Sequence, residues 1–439
     1  MSDARGHAPC VLACGANLLC YRLRAFNADA PTTPMSIDTL LILIAPNVSQ
    51  QMGGEAIKAL QIFQELTKLH PNTVQITHGR NRAEIQRLGL KNVEFVDDTK
   101  FALLIYRSVV LRFLMDVMFS SQAVRLAEKI ARERGVERAV IHQTEPNSPV
   151  LPRTLSSRHV NVFGPINGNI YYPPIFRDKE TRAVRLRRVM HMPIQRLNRL
   201  LPGGIKRADQ ILVAGGERSS VSLRAAGCAP GIMRDSLDCG IPDGLLDRPR
   251  VTHSGANLRF IHCGRLVFFK GTALIIESLP KTRHPVCLDI VGRGPELDRC
   301  RDLVRQLGLE QRVRFLDWST QDALFESFRQ YRGVVLPSIE DSNGIVIQEA
   351  MALGLPPICL DWGGPSLLID HGRSGFMVKP VSLDHITSGL AESMDRLAED
   401  GALAESMSTA ARATAQGWRW SNVASEWLAA FPGRVGAGV

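Results

Sequence analysis

Apolar residues come in short continuous runs, separated by longer stretches with a helical repeat. Residues 39–45 form one such run, of strand length and apolar at consecutive positions, as a strand covered on both faces of a parallel sheet requires. Between residues 55 and 69, Ile57, Leu60, Ile62, Phe63 and Leu66 recur at helical spacing and predict an amphipathic helix with those side chains inward. Further runs stand at 74–76, 93–96, 139–141, 160–163 and 211–213. Strand and helix in alternation predict a doubly wound α/β sheet. From 241 to 257 the periodicity is lost and Pro, Gly, Asp and Arg accumulate, as in a linker. Alternation then restarts, with strands at 258–263, 287–291, 313–316, 333–336 and 357–360 and helices at 296–307, 322–330 and 344–353. Two doubly wound Rossmann-like domains are expected to face a central cleft, where small molecules usually bind. The expected organisation is an extension (1–35), a first domain (36–245), a second domain (246–416) and a C-terminal tail (417–439). Trp418 and Trp420 begin that tail. It is expected to dock back on the first domain, or else to complete the core of the second.

Composition changes this picture little. An apolar share of 45% and a charged share of 22% in 439 residues suit two or three globular domains and exclude fibrous and disordered classes. No run of about 18 apolar residues marks a membrane span. Nine scattered cysteines without a CxxC pair suggest reduced thiols of a cytoplasmic protein. His7, Cys10, Cys14 and Cys20 cluster locally, but their spacing matches no usual zinc pattern. The first 35 residues are expected to be a disordered extension, or translation upstream of a start at Met35. A signal-peptide reading would cleave near Ala28-Asp29-Ala30, yet its apolar centre is broken by Gly15 and Asn17.

Charge adds more. The formal net charge is +10, and residues 177–207 alone carry +8 through Arg177, Lys179, Arg182, Arg185, Arg187, Arg188, Arg196, Arg199, Lys206 and Arg207. Leu186, Val189, Met190, Ile194, Leu197, Leu200 and Leu201 interleave with these cations. A basic face beside an apolar one suits an anionic membrane surface. The alternative is a solvated helix whose apolar side packs on the first domain. Nucleic acid is not expected as a partner, because aromatic residues for stacking are scarce in the stretch.

The chemistry-bearing residues lie at strand-to-helix corners. Gly264 ends one strand, Arg265 and Lys270 follow, and a helix begins. Two cations beside a helix start suit a diphosphate, although a solvated loop would look the same. The passage from Leu336 to Pro356 places Asp341 eight residues before Glu349, with Ser342, Asn343, Gly344 and Ile345 between them. Carboxylates at such corners accept hydrogen bonds from adjacent sugar hydroxyls.

These residues resemble the retaining glycosyltransferase family 4, the group 1 glycosyltransferases of GT-B fold, over about residues 37–431. The resemblance implies that Arg265 and Lys270 hold the diphosphate of a nucleotide sugar. It further implies that Glu349 holds the ribose, that Asp341 meets the donor sugar, and that the Gly344 and Ile345 amides approach both. Gly292, Gly294 and Phe315 would shape the base pocket beside Gly264. Gly53 and Gly54 resemble the glycine-rich loop after the first strand, and His142 the histidine near the reacting carbon. A lone histidine is as well explained structurally. Glu145, Asn167 and Asn169 are candidate acceptor-side residues.

The family pattern has Glu where this chain has Asp341, with Glu340 beside it. Implied, then, is a retaining, metal-independent hexosyltransferase with no cofactor, using a UDP- or GDP-sugar and a glycan or glycolipid acceptor. It would serve envelope or exopolysaccharide synthesis, in the cytoplasm or at the inner face of the membrane. The shorter Asp341 keeps a second reading open, a catalytically weak protein that binds sugar nucleotides or glycans. A dinucleotide oxidoreductase is disfavoured because Gly53-Gly54 lacks the GxGxxG pattern.

Overall fold

The structure, a computed structural model, describes residues 36, 38–52, 54–97, 113–145, 147–317 and 320–432. The His7–Cys20 cluster, the rest of the 1–35 extension and Gly53 lie outside the described residues. The first sheet contains β1 (Leu41–Ile44), β2 (Thr73–His78), β3 (Val93–Val96), β4 (Val140–Gln143), β5 (Val160–Ile166), β6 (Gln210–Val213) and β7 (Met233–Asp235). The second contains β8 (Arg259–Cys263), β9 (Cys287–Val291), β10 (Val313–Leu316), β11 (Gly333–Leu336), β12 (Pro357–Leu360) and β13 (Phe376–Val378). Both sheets are parallel, in the orders β3-β2-β1-β4-β5-β6-β7 and β10-β9-β8-β11-β12-β13. β1, β4, β11 and β12 are buried along their whole length, which explains their continuous apolar text.

The strand order fixes where a ligand can bind. Winding reverses between β1 and β4 in the first sheet and between β8 and β11 in the second. At such a switch point the connecting loops splay apart beyond the carboxyl ends of the strands, leaving a crevice. The 264–271 and 337–344 corners flank the crevice of the second sheet.

The Gly54–Leu69 helix buries Leu60, Ile62, Phe63 and Leu66 as its spacing predicts. Ile57 is instead 37% exposed, and Lys58 turns inward. Its ammonium lies 3.1 Å from Asp238 and 2.7 Å from Glu55. Burial opposes its charge, but Asp238, Glu55 and Glu145 hold it protonated above the ordinary lysine range.

The tail returns to the first domain. Ile241 and residues 418–420 exchange backbone hydrogen bonds of 2.8 and 3.1 Å, so the returning chain runs beside the outgoing linker. The Trp420–Ala430 helix then places Trp420, Val423, Trp427 and Phe431 in one core cluster with Leu41, Leu43, Phe63 and Val140. In the other direction, Tyr172 and Phe176, which follow β5, join the second-domain core. The domains are also tied by Trp362 Nε1 donating to the Tyr171 carbonyl at 2.9 Å.

Candidate active site

The donor-side residues converge at the carboxyl ends of β8, β9 and β11. Gly292 has φ +154°, and a Cβ there would sit 1.9 Å from the Gly264 carbonyl oxygen, so only glycine lets these two corners touch. Lys270 leaves the β8 corner and donates to Asp341 Oδ2 at 2.5 Å. Asp341 Oδ1 accepts from the Gly344 amide at 3.0 Å and the Asn343 amide at 3.3 Å. Gly344 caps the Ile345–Ala352 helix in the left-handed conformation, φ +75°, which a side chain there would resist. Asp341 thus accepts from a cation and from helix-start amides together. The Gly364 amide, donating to the Asp341 carbonyl at 2.8 Å, pins the loop from behind.

Glu349 lies one turn into that helix and is 9% exposed. Burial pushes its carboxyl up to about 7, although Gln321, donating to Oε1 at 2.7 Å, pulls the other way. Arg265 is exposed, its guanidinium over the Phe269 ring at 5.8 Å from the centroid. Phe315 is half-buried, with Arg301 over its ring. Gly294, Ser342 and Asn343 lie in the same corners; the Asn343 side chain donates to Gln348 at 2.9 Å. Ile345, 40% exposed, opens the helix.

First-domain candidates fare differently. His142 does not face the cleft. It is fully buried, its Nε2 2.7 Å from the Gly164 carbonyl and its ring edge-on to Trp427 and Phe431 at 5.0 and 5.1 Å. Burial drops its pKa to about 3, despite the Gly164 hydrogen bond. The returning tail covers it, so a role at a donor sugar is corrected to one in the core. Glu145 is buried too; burial raises it to about 8 against the pull of Lys58, and its Oε1 has no hydrogen-bond partner among the described residues. Asn167 is committed elsewhere: its amide crosses the cleft to the Ser342 carbonyl at 2.6 Å, and its side-chain oxygen accepts from Arg218 at 2.7 Å. Asn169 lines an open cavity. Gly54 begins its helix with nothing near its Cα that a side chain would meet.

Sequence reading missed Gln321, Arg218 and the Lys58–Asp238 pair. No local pattern marks them, since their partners stand 28, 51 and 180 residues away. It also missed the Arg187–Glu340 ion pair of 3.2 Å, which joins the basic stretch to the donor-side loop.

Residues 247–414 match the model of the glycosyl transferases group 1 family. That stretch contains Lys270, Asp341, Gly344 and Glu349. The second domain is similar to the group 1 glycosyltransferases over that stretch. A Methanocaldococcus jannaschii protein named as an uncharacterized glycosyltransferase is 34% identical over 166 residues, 37% of this chain and 42% of that one. The D-inositol 3-phosphate glycosyltransferase of Jonesia denitrificans is 30% identical over 181 residues, 39% of this chain and 42% of that one. The chain therefore spans about two-fifths of the length of these curated relatives. Likeness in fold extends through both domains. Anabaena HepE, solved in complex with UDP-glucose, matches with a TM-score of 0.57 at 18% identity, over 88% of this chain and 97% of that one. The matched domain thus sits in a GT-B fold, opposite a first domain of seven parallel strands.

Proposed function

We propose that the protein transfers a hexose from a UDP- or GDP-sugar to a glycan or lipid-linked acceptor, with retention of configuration and without a metal. The observation that carries this reading is the meeting of Lys270, Asp341 and the Gly344 amide at the switch point, beside the buried carboxyl of Glu349. Lys270, Arg265 and the helix start would stabilise the negative charge that grows on the departing nucleoside diphosphate. In a front-face attack that diphosphate itself takes the acceptor proton, which agrees with the removal of His142 from the cleft. HepE, with UDP-glucose bound, supports a nucleotide-sugar donor for this architecture.

Glu349 gives this reading a pH signature. Only the ionised carboxylate accepts from both ribose hydroxyls, and its pKa near 7 means that about half the molecules must release a proton first at neutrality. UDP-glucose affinity should rise between pH 6 and 7, approaching about tenfold per unit below the pKa, and level off above it. Glu349→Gln should flatten the profile. Calorimetric titration across pH 6–8 checks this, and a flat native profile would remove Glu349 from the ribose.

The Arg182–Leu200 helix supports a membrane-adjacent acceptor. It turns polar residues inward: His191 and Gln195 are buried against Ser222. Its apolar residues face outward, with Leu186 63%, Val189 57%, Leu197 55% and Leu200 80% exposed. The apolar side therefore does not pack on the first domain. By the 3.6-residue repeat, Arg185 and Arg196 flank this apolar stripe. Such a face enters the headgroup region of an anionic bilayer. With each arginine worth about 1 kcal/mol at that surface, Arg185→Ala with Arg196→Ala should weaken binding to phosphatidylglycerol vesicles roughly thirtyfold. Leu186→Ser with Leu197→Ser should weaken it at high salt as well. Vesicle co-sedimentation is the test, and equal binding by native protein and both variants would refute the surface. Among the described residues no helix is long and apolar enough to cross a membrane.

A further inference from the structure

Between the domains, a cavity of about 510 Å³ opens beside the donor-side loop. Its walls include Arg177, Arg188 and Arg218, together with His191, Asp361 and Trp362. These three arginines are not equivalent. Arg188 is spent on Glu180, its Nε donating to both carboxylate oxygens at 2.9 and 3.0 Å. Arg218 makes no ion pair among the described residues, although the Asp238 carboxylate favours its charge from nearby; its Nη2 donates to the carbonyl and the side-chain oxygen of Asn167 at 3.1 and 2.7 Å. Its Nε is buried with no acceptor among the described residues. Arg177 has no carboxylate partner among them either; its neighbours Asp178 and Lys179 pair with each other at 3.2 Å.

A half-buried guanidinium without a counter-ion is costly to keep. Half-buried Arg218 and exposed Arg177 at the rim of one cavity make it complementary to an oxyanion, and the guanidinium fork matches phosphate oxygens in pairs. His191 adds no charge. Its Nδ1 meets Tyr171 Oη at 2.9 Å and its Nε2 meets Ser222 Oγ at 2.7 Å, and burial pulls its pKa down. The single carboxylate of the lining, Asp361, forms no ion pair among the described residues and is free to accept from hydroxyls. Trp362 offers an apolar ring beside it.

We propose that this cavity receives the acceptor, and that Arg177 and Arg218 hold a phosphate ester on it while Asp361 and Trp362 meet its sugar or polyol. This rests on the transferase reading above. Arg218 is one hydrogen bond from Asn167, and Asn167 one hydrogen bond from the Ser342 carbonyl of the donor-side loop. An anion anchored on Arg218 therefore fixes the acceptor relative to the donor sugar. The phosphate has two chemical sources, a soluble sugar or polyol phosphate and the phosphate that joins a glycan to its lipid.

The test is calorimetric titration of the full chain with UDP at saturation, which fills the donor corner first. Probes are glucose 6-phosphate, mannose 6-phosphate and an inositol monophosphate, each beside its unphosphorylated parent, and a polyprenyl phosphate sugar in micelles. At least one phosphorylated probe should bind about tenfold or more tightly than its parent, since charged hydrogen bonds are the strong ones. Arg177→Gln, at an exposed position, should erase most of that preference and leave UDP affinity unchanged. Arg218→Lys should reduce it, because the charge stays and the fork is lost. Preference for the soluble probes or for the micellar one names the source, and either supports the proposal. Parents binding as well as every phosphorylated probe, or a preference that survives both substitutions, overturns it. Failure of both UDP and GDP to bind would refute the donor reading instead.

Discussion

Lys270→Ala should lower transfer from a nucleotide sugar by about a hundred- to a thousandfold, the usual cost of removing one group that stabilises charge in the transition state. Lys270 lies in the described molecule as the partner of Asp341, at 2.5 Å, with both side chains largely shielded. Its ammonium is anchored at the corner before any donor arrives, so it needs no reorganisation when charge develops. The loss should fall mainly on kcat, because the diphosphate gains charge as the glycosidic bond breaks. Arg265→Ala should cost less, since Arg265 is exposed and rests over Phe269. Steady-state kinetics with a UDP- and GDP-sugar panel decide the matter. An unchanged kcat for Lys270→Ala, in protein that unfolds at the native temperature, would move the phosphate site elsewhere.

Trp427→Ala should destabilise the first domain by about 3–5 kcal/mol, the range for deleting a large aromatic side chain from a core. Trp427 is 1% exposed, its ring against His142 and its Nε1 donating to Ser236 Oγ at 3.0 Å. It lies in the C-terminal helix yet fills the core of the first domain, between the Gly54–Leu69 helix and β1 and β4. Denaturant unfolding followed with and without nucleotide separates the domains: the first-domain transition should move to lower denaturant while nucleotide still protects the second. A first domain of native stability in this variant would mean that the tail is not part of its core.

What the residues revealed beforehand, and what they hid, follows from the range of the contacts involved. β9, β10, β11 and β12 have the bounds read from the sequence; β11 and β12 are covered on both faces and so apolar at successive positions, whereas β9 carries Asp289 and the edge strand β10 exposes Arg314. Met233–Asp235, a three-residue strand at a sheet edge, has no such run to announce it; Phe376–Val378 is apolar throughout but only three residues long. The Gly264, Lys270, Asp341 and Gly344 corners were legible because backbone turns and helix starts impose local residue choices. His142 was misread and Lys58 missed for one reason. Each sits in an element whose period was read correctly, but its environment is set by a distant segment: the returning tail for His142, and Asp238 for Lys58. The basic stretch was legible as amphipathic. Which side it buries depended on Ser222 and the polar groups around it, and the structure buries the polar one.

The account stands or falls on where the nucleotide binds. The direct measurement is a crystal structure of the protein with whichever of UDP and GDP binds more tightly. The diphosphate should lie between Arg265, Lys270 and the Gly344 amide, with the ribose hydroxyls on Glu349. A nucleotide bound anywhere else, with Lys270 still paired to Asp341 and Glu349 untouched, would contradict it.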